Sequence, residues 1–213
     1  MNSRGLLLAS GGIDSITAMY EMNENITHVL FFNYGQAVFK NEYECVQRHT
    51  SKLKKTLMVD DLKNLYSNSK SSIFTGILES EPNYEIPNRN LVFINYAVAK
   101  AVSLGLGVVY TGIFDTGYSD TSTDMYKKLN EIILLVNHNK VRVNNRFENK
   151  TKAEILKLSY ERHKLDLGRD SFSCYLNSHN KKHCGICSAC VMRQEAYKNA
   201  GIPDTTEYLT DGR

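Results

Sequence analysis

Short apolar runs alternate along the chain with longer stretches in which apolar and polar residues recur at helical spacing. Apolar runs bounded by glycine or polar residues are typical of strands buried on both faces of a sheet. They predict strands at residues 5–9, 28–32, 56–59, 108–112 and 140–143. The amphipathic stretches predict helices at residues 14–22, 41–53, 91–104, 123–137, 152–162 and 189–200. This alternation predicts an α/β fold, a doubly wound and mostly parallel sheet with helices on its faces.

The middle of the chain adds two details to this pattern. Residues 67–87 are rich in Ser, Asn and Glu, and they predict a long loop broken by short helical pieces. The helix after this loop is expected to bury one apolar stripe. That stripe consists of Leu91, Ile94, Val98, Ala101 and Val102.

Composition and charge restrict the class of protein. With 213 residues and 42% hydrophobic content, the chain is long enough for one substantial domain with a small appendage. A net charge of +3 is compatible with an anionic small-molecule ligand, but it is not the concentrated basic face of a nucleic-acid-binding protein. No apolar run reaches the ~20 residues that span a bilayer, and no signal-peptide pattern is visible. We therefore expect a cytoplasmic protein without membrane contact.

A glycine-rich loop connects the first predicted strand to the first predicted helix. Its sequence is Ser10-Gly11-Gly12-Ile13-Asp14-Ser15. Glycines allow a backbone to approach an anion closely, and the helix that follows offers free N–H groups and the positive end of its dipole. The loop lacks the lysine of a Walker A motif and the spacing of a dinucleotide fingerprint. It predicts a phosphate site, whereas the plain alternative is a strand-to-helix turn.

Four of the five cysteines are concentrated near the end of the chain. Cys174 is followed by Cys184, Cys187 and Cys190 at C-x-x-C-x-x-C spacing. In a reducing compartment such a cluster predicts a metal site, and four thiolates complete a closed tetrahedral zinc site of structural type. An iron–sulfur cluster and a set of unrelated buried thiols are the alternatives. Cys45 has no visible thiolate-stabilising neighbour, so we interpret it as a buried helix residue.

The loop sequence S-G-G-x-D-S after an N-terminal strand resembles the PP-loop ATP pyrophosphatase superfamily. The resemblance implies an adenine nucleotide alpha-hydrolase-like fold and cleavage of ATP between its α and β phosphates. It also implies a nucleotide-binding segment around the loop, formed by Ala9, Ser10, Gly11, Gly12, Ile13, Asp14, Ser15, Ile16 and Thr17. Two domains are expected, a nucleotide-binding α/β domain over residues 1–165 and a zinc-binding segment over residues 166–213.

Together with the cysteines, further motifs resemble the 7-cyano-7-deazaguanine synthases of the queuosine and deazaguanine pathways. They are Tyr34-Gly35-Gln36 followed by Glu42, Pro87-Asn88-Arg89-Asn90, residues 149–155, Ser173-Cys174-Tyr175, Arg193, residues 201–206 and Tyr208. The chain departs from that family at Asn88, where the family usually has glycine. It also departs at Ser119 and Thr121, which replace the proline and cysteine of a Tyr-Pro-Asp-Cys element.

This resemblance implies an ATP-dependent carbon–nitrogen ligase. Such an enzyme converts 7-carboxy-7-deazaguanine and ammonia to 7-cyano-7-deazaguanine through adenylated intermediates and an amide. The implied cofactors are ATP, Mg²⁺ and structural Zn²⁺, and the implied assembly is a homodimer without a nucleic-acid partner.

The expected roles follow from the chemistry of the side chains. Arg89 and Lys152 are the candidates for clamping phosphate or carboxylate oxygens, and Asp14 or Asp120 for contacting Mg²⁺. Arg89, Lys152 and Asp14 therefore form the predicted catalytic set. The predicted substrate-binding residues are Tyr34, Gln36, Arg89, Asn90, Asp115, Tyr118 and Asp120. Simpler alternatives are a surface ion pair for Arg89, a solvated helix lysine for Lys152 and turn positions for Tyr34 and Gln36.

Two competing interpretations remain open at the level of sequence. A related PP-loop ligase would stop at the amide or act on another base, and the departures at Ser119 and Thr121 keep this interpretation open. A zinc-ribbon module would instead bind nucleic acid with a marked salt dependence and would release no AMP. The weak net charge argues against this second interpretation.

Overall fold

Five parallel strands form the central sheet in a computed structural model that describes residues 4–113, 119–176 and 182–209. The strands are β1 (Gly5–Ala9), β2 (Ile26–Asn33), β3 (Thr56–Asp61), β4 (Val108–Thr111) and β5 (Arg142–Asn145). Their order is β3-β2-β1-β4-β5, and every neighbouring pair is parallel. The predicted doubly wound parallel sheet is therefore confirmed.

The helices occupy both faces of this sheet. They are α1 (Ile13–Glu21), α2 (Phe39–Lys52), α3 (Ser72–Thr75), α4 (Arg89–Ser103), α5 (Thr123–Val136), α6 (Lys152–His163), α7 (Leu167–Asp170) and α8 (Ser188–Ala200). Short 3-10 helices cover Lys63–Tyr66 and Ser119–Thr121. Buried residues of α1, α2, α6 and α8 belong to the core on one face, and those of α4 and α5 to the core on the other.

The central strand β1 shows how the sequence determines this layering. Successive side chains of a strand point to opposite faces, so β1 contributes Leu7 and Ala9 to one core and Leu6 to the other. All three are almost completely buried. Because a strand covered on both faces has no polar side, it appears in the sequence as an uninterrupted apolar run.

The ends of several elements differ from the sequence-based expectation by one or two residues, and three differences are informative. Strand β5 begins at Arg142 rather than at residue 140. The short helix α7 was not predicted. Val102 was expected on the buried stripe of α4, but it is 48% exposed. The buried face of α4 is centred on Ile94, Ala97 and Ala101, which puts Val102 at its margin.

The segment after α6 packs against the α/β layers. Leu167 of α7 and Ala196 and Tyr197 of α8 lie in the same core as Leu7 and Ile16. Among the helices in the described ranges, none combines the length and the apolar character needed to cross a membrane.

Candidate active site

The glycine-rich loop lies at the carboxyl end of β1, where the direction of the chain connections reverses. From β1 the chain proceeds outward to β2 and β3 on one side, whereas β4 and β5 extend the sheet on the other. In open parallel sheets this reversal leaves a crevice outside the strand ends, which is the usual place for a ligand. The predicted phosphate loop therefore occupies the position where such folds bind nucleotides.

The loop backbone is shaped by close contacts. Gly11 has a φ of +81°, and a Cβ there would lie 2.6 Å from the carbonyl oxygen of Glu42. The amide of Ser10 donates a hydrogen bond to Ser15 Oγ (3.1 Å), and Ser15 Oγ donates to the carbonyl of Gly12 (3.2 Å). Gly12 is the N-cap of α1 and makes no side-chain cap hydrogen bond, so the first-turn amides are available to an anion.

The residues that flank the loop contribute through their backbone. The side chains of Ala9, Ile13 and Ile16 are buried in the core beneath the loop. Thr17 is also buried, and its hydroxyl donates to the carbonyl of Ile13 at 2.7 Å. Within the predicted nucleotide segment, the polar side chains nearest the crevice are therefore those of Ser10, Asp14 and Ser15.

Asp14 and Lys152 form an ion pair next to the loop. Lys152 Nζ donates to Asp14 Oδ2 at 2.6 Å, and the two side chains are 15% and 18% exposed. Lys152 is therefore not a freely solvated helix lysine. The second carboxylate oxygen, Asp14 Oδ1, is buried without a hydrogen-bond partner among the described residues. That spare acceptor fits a contact to a cation or to a water molecule on a cation.

A capping box fixes the start of the helix that carries Lys152. The Thr151 side chain accepts from the Glu154 amide (3.2 Å), and the Glu154 carboxylate accepts from the Thr151 amide (2.7 Å). We expect Thr151→Ala to lower the free energy of unfolding by about 1 kcal/mol, because the hydroxyl accepts from the Glu154 amide and donates to the Glu154 carboxylate at 2.8 Å. Urea denaturation measures the change, and Thr151→Ser is the matched control. Equal stabilities of the two variants would contradict the prediction.

Arg89 and its neighbours form a second group at the start of α4. The Arg89 guanidinium lies over the Tyr34 ring, 5.9 Å from the ring centroid. Burial lowers the pKa of Arg89, but the surrounding Tyr34, Tyr175, Asp120 and Glu42 outweigh it and raise the pKa above its ordinary value. The guanidinium therefore stays charged in a partly buried setting, which suits contact with an oxyanion.

The backbone around Arg89 explains one departure from the family pattern. Asn88 has a φ of +59°, a left-handed conformation that glycine and asparagine adopt most readily. Asparagine can therefore stand where the family usually has glycine. The amide of the next predicted substrate residue, Asn90, donates to Asp120 Oδ2 at 3.1 Å, so Asp120 joins the Arg89 group.

Gln36 and Glu42 connect this second group to the loop. The buried Gln36 accepts from the Tyr34 amide (2.9 Å), and its Nε2 donates to the carbonyl of Phe32 and to Glu42 Oε2, both at 3.0 Å. Burial raises the pKa of Glu42 to about 7, against the lowering effects of Gln36 and Arg89. In the sequence, Glu42 was noted only because it follows the Tyr34-Gly35-Gln36 element of the family. No function was assigned to it from the sequence.

The structure thus brings most predicted site residues to one edge of the sheet. The loop and the Asp14–Lys152 pair form one half of the site, and Tyr34, Gln36, Arg89, Asn90 and Asp120 form the other half. Two predicted substrate residues, Asp115 and Tyr118, lie outside the described residues.

The four cysteines of the C-terminal segment also come together. The Sγ atoms of Cys174, Cys184, Cys187 and Cys190 all lie within 4.8 Å of one another. Four thiolates at ~2.3 Å around a tetrahedral zinc ion would be about 3.8 Å apart. The cluster can therefore hold a metal ion. Cys45 is buried in α2, as predicted.

A family model described as "Queuosine biosynthesis protein QueC" matches residues 4–201 of this chain. The chain belongs to the QueC family. A 7-cyano-7-deazaguanine synthase of Marinomonas sp. (strain MWYL1) is 32% identical, with 98% of this chain and 99% of that protein covered. The 7-cyano-7-deazaguanine synthase 1 of Sulfurisphaera tokodaii is also 32% identical, with 97% and 98% covered. The family resemblance found from the motifs is therefore confirmed.

Among solved structures, the U34-tRNA thiolase NcsA from Methanococcus maripaludis with its [4Fe-4S] cluster matches with a TM-score of 0.48 and 12% identity. The match covers 93% of this chain and 68% of that one. This likeness is too weak to carry a functional conclusion.

In this QueC-family chain, residues 166–213, here called the cysteine segment, form a hydrogen bond to the glycine-rich loop. The amide of Phe172 donates to the carbonyl of Gly11 at 2.9 Å. Behind this contact lies the fully buried Arg193, whose Nη1 donates to the hydroxyls of Ser171 and Ser173, each at 3.0 Å. Arg193 also donates to Thr206 Oγ1 at 2.8 Å. The buried Arg193 guanidinium therefore holds residues 171–173, which contact the loop, in a fixed position.

His183 lies beside the cysteine cluster but has a different partner. Its Nε2 accepts from the amide of Ser173 at 3.2 Å, and its ring packs on Phe172. Burial, helped by the positive charge of Arg193, lowers the pKa of His183 to about 3. Because Nε2 already accepts this hydrogen bond and four cysteines complete the candidate metal site, His183 is left out of the metal ligands. His179 lies outside the described residues.

Proposed function

We propose that this QueC-family chain converts 7-carboxy-7-deazaguanine and ammonia to 7-cyano-7-deazaguanine, with two molecules of ATP consumed for each nitrile. The observation that carries the proposal is the chain of contacts that links the two groups of candidate site residues. Glu42 lies against Gly11 of the glycine-rich loop and accepts a hydrogen bond from Gln36. Gln36 in turn accepts from the amide of Tyr34, the residue whose ring lies next to Arg89. The chain also matches relatives named 7-cyano-7-deazaguanine synthase along nearly its full length.

The reaction needs two rounds of the same activation. A carboxylate oxygen attacks the α-phosphorus of ATP and displaces pyrophosphate, which gives an acyl adenylate. Ammonia then forms the carbon–nitrogen bond of the amide as AMP leaves. In the second round the amide oxygen attacks another ATP, and loss of AMP gives the nitrile. One site can serve both rounds, because each places an oxygen nucleophile in line with the same phosphorus.

Each group of site residues would have its own role in this reaction. The loop amides with Ser10 and Ser15 would bind the departing pyrophosphate, and Lys152 would add positive charge beside it. Asp14 would contact Mg²⁺ directly or through water, and the ion would neutralise phosphate charge. Arg89, Tyr34, Gln36, Asn90 and Asp120 would hold the carboxylate and the base, together with Asp115 and Tyr118.

The four cysteines would bind a structural zinc ion. A closed set of four thiolates leaves no position for water, so the ion would stabilise residues 166–213 rather than take part in the reaction. We propose this segment as a unit distinct from the nucleotide-binding part, and a homodimer as the assembly.

The decisive measurement is the number of AMP molecules released for each nitrile formed. Double activation predicts a ratio of two, with both AMP and nitrile dependent on ammonia and the carboxylate substrate. A ratio of one AMP per amide, with no nitrile, would favour the amide-forming ligase. Failure to release AMP, combined with salt-dependent RNA binding, would favour the nucleic-acid-binding alternative.

A further inference from the structure

Glu42 lies between the two halves of the candidate site. It sits in the first turn of α2, and its backbone is so close to the glycine-rich loop that its carbonyl oxygen would be 2.6 Å from a Cβ on Gly11. Its side chain extends toward the other half, where Oε2 accepts from Gln36 Nε2 at 3.0 Å. The carboxyl group is therefore held close to the place where phosphate and substrate would meet.

The surroundings of Glu42 keep it oriented and partly charged. Gln36 is itself fixed by the Phe32 carbonyl and the Tyr34 amide, so its amide presents a rigid donor. The charged and titratable groups that face Glu42 are Arg89 of α4, Tyr34 after β2 and Cys45 of its own helix. Among the described residues, only Oε2 has a hydrogen-bond partner, which leaves Oε1 available to a ligand.

The reaction proposed above releases protons at defined steps. No proton is lost when the carboxylate oxygen attacks ATP. When ammonia adds to the acyl adenylate, the C–N bond forms, the C–O bond to AMP breaks and one N–H proton leaves. When the amide oxygen attacks the second ATP, pyrophosphate and a second N–H proton leave. When the C–O bond to AMP then breaks to give the nitrile, the last N–H proton leaves.

We propose that Glu42 is the general base that accepts these N–H protons and passes them to solvent. This inference rests on the proposed function. A carboxyl group with a pKa near 7 suits the task, because a substantial fraction is ionised at neutral pH and the base is strong enough to take a proton in the transition state. An ordinary solvated carboxylate would be a weaker base.

The test compares Glu42→Gln with wild type in two assays. The first assay is ATP–pyrophosphate exchange driven by 7-carboxy-7-deazaguanine without ammonia, which involves no proton removal. The second is conversion of 7-amido-7-deazaguanine and ATP to the nitrile. We expect Glu42→Gln to keep exchange within about 3-fold of wild type and to lose about 10²–10⁴-fold in nitrile formation.

Controls separate catalysis from folding. Glu44→Gln changes a carboxyl on the same helix and should leave both assays near wild type, whereas Glu42→Asp should restore part of the nitrile formation. The base must be deprotonated, so the wild-type rate with the amide substrate should rise with pH through about 7, and Glu42→Gln should lack that rise.

Two results would overturn the proposal. Nitrile formation by Glu42→Gln at the wild-type rate would show that no base is needed there. Parallel loss of exchange and nitrile formation would assign Glu42 to substrate binding instead. Failure of the proposed function is distinguishable, since wild type itself would then form no nitrile.

Discussion

Gly11→Ala is expected to lower nitrile formation by at least about 100-fold while the chain still folds. A Cβ at this position would lie 2.6 Å from the carbonyl oxygen of Glu42 and 3.1 Å from its Cα. Both atoms belong to the backbone at the start of α2, so neither can move aside as a flexible side chain would. The loop must shift, and a displacement of about 1 Å in a group that positions a reacting phosphate can cost about 10²-fold in rate.

Gly105→Ala is the matched control for this substitution. Gly105 also has a left-handed φ, +67° against +81° for Gly11, but nothing lies within 4 Å of its added Cβ. Both variants therefore carry the left-handed strain of about 1–2 kcal/mol, and only Gly11→Ala adds the clash in the site. Thermal denaturation should show a loss of stability in both variants, larger in Gly11→Ala because of the clash, with both chains still folded. Nitrile formation near the wild-type rate in Gly11→Ala would contradict the assignment of the loop to phosphate binding.

The parts of the fold that were predictable are those whose local pattern agrees with their tertiary setting. The central strands are covered on both faces, so their apolar runs were clear. Helix α6 begins at Lys152, as predicted, and Thr151 and Glu154 form a capping box at that position. The position of the glycine-rich loop between β1 and α1 was equally predictable. Its glycines are required by the backbone itself, as the left-handed φ of Gly11 shows.

The elements that were misplaced depend on distant partners. The end of β5 is polar, and Asn144 and Asn145 are extended because they pair with Tyr110 and Thr111 of β4. Helix α7 has only four residues, and the carbonyls of Leu167 and Gly168 accept hydrogen bonds from Arg193. Neither interaction leaves a periodic signal in the local sequence.

The types of residue in the candidate site were predictable from the sequence, but the contacts between them were not. Arg89, Lys152 and Asp14 were selected for their charge, yet the pairing of Asp14 with Lys152 joins helices α1 and α6, which are far apart in sequence. Glu42 was recognisable only as part of a motif. Its proximity to Gly11 and its raised pKa arise from the packing of α2 against the loop.

Because the cysteine segment contacts the loop, a metal ion bound by the cysteines would affect the glycine-rich loop as well as its own segment. Phe172 bonds to Gly11, and two residues later the chain reaches Cys174 in the cluster. Loss of a metal ion bound by this cluster should therefore loosen both the segment and one wall of the glycine-rich loop. A structural ion would in this way support ATP binding without touching ATP.

We expect Cys187→Ser to lose the bound metal, about one equivalent per chain in wild type, and most of the nitrile formation with it. Serine is a good N-cap, so the start of α8, where Cys187 is the N-cap, is preserved while a thiolate ligand is removed. Metal content after purification is measured by atomic emission, and zinc is expected without the visible absorption of an iron–sulfur cluster.

Cys45→Ser makes the same chemical change at another buried cysteine, outside the cluster. It should lower stability modestly, because a hydroxyl replaces a buried thiol, but it should retain the full metal content. Treating wild type with a chelator and then restoring Mg²⁺ should reproduce the defect of Cys187→Ser, and adding zinc should reverse it. If Cys187→Ser kept both its metal and its activity, the four thiolates would not form the site, and the loop would be held by the Phe172 and Arg193 contacts alone.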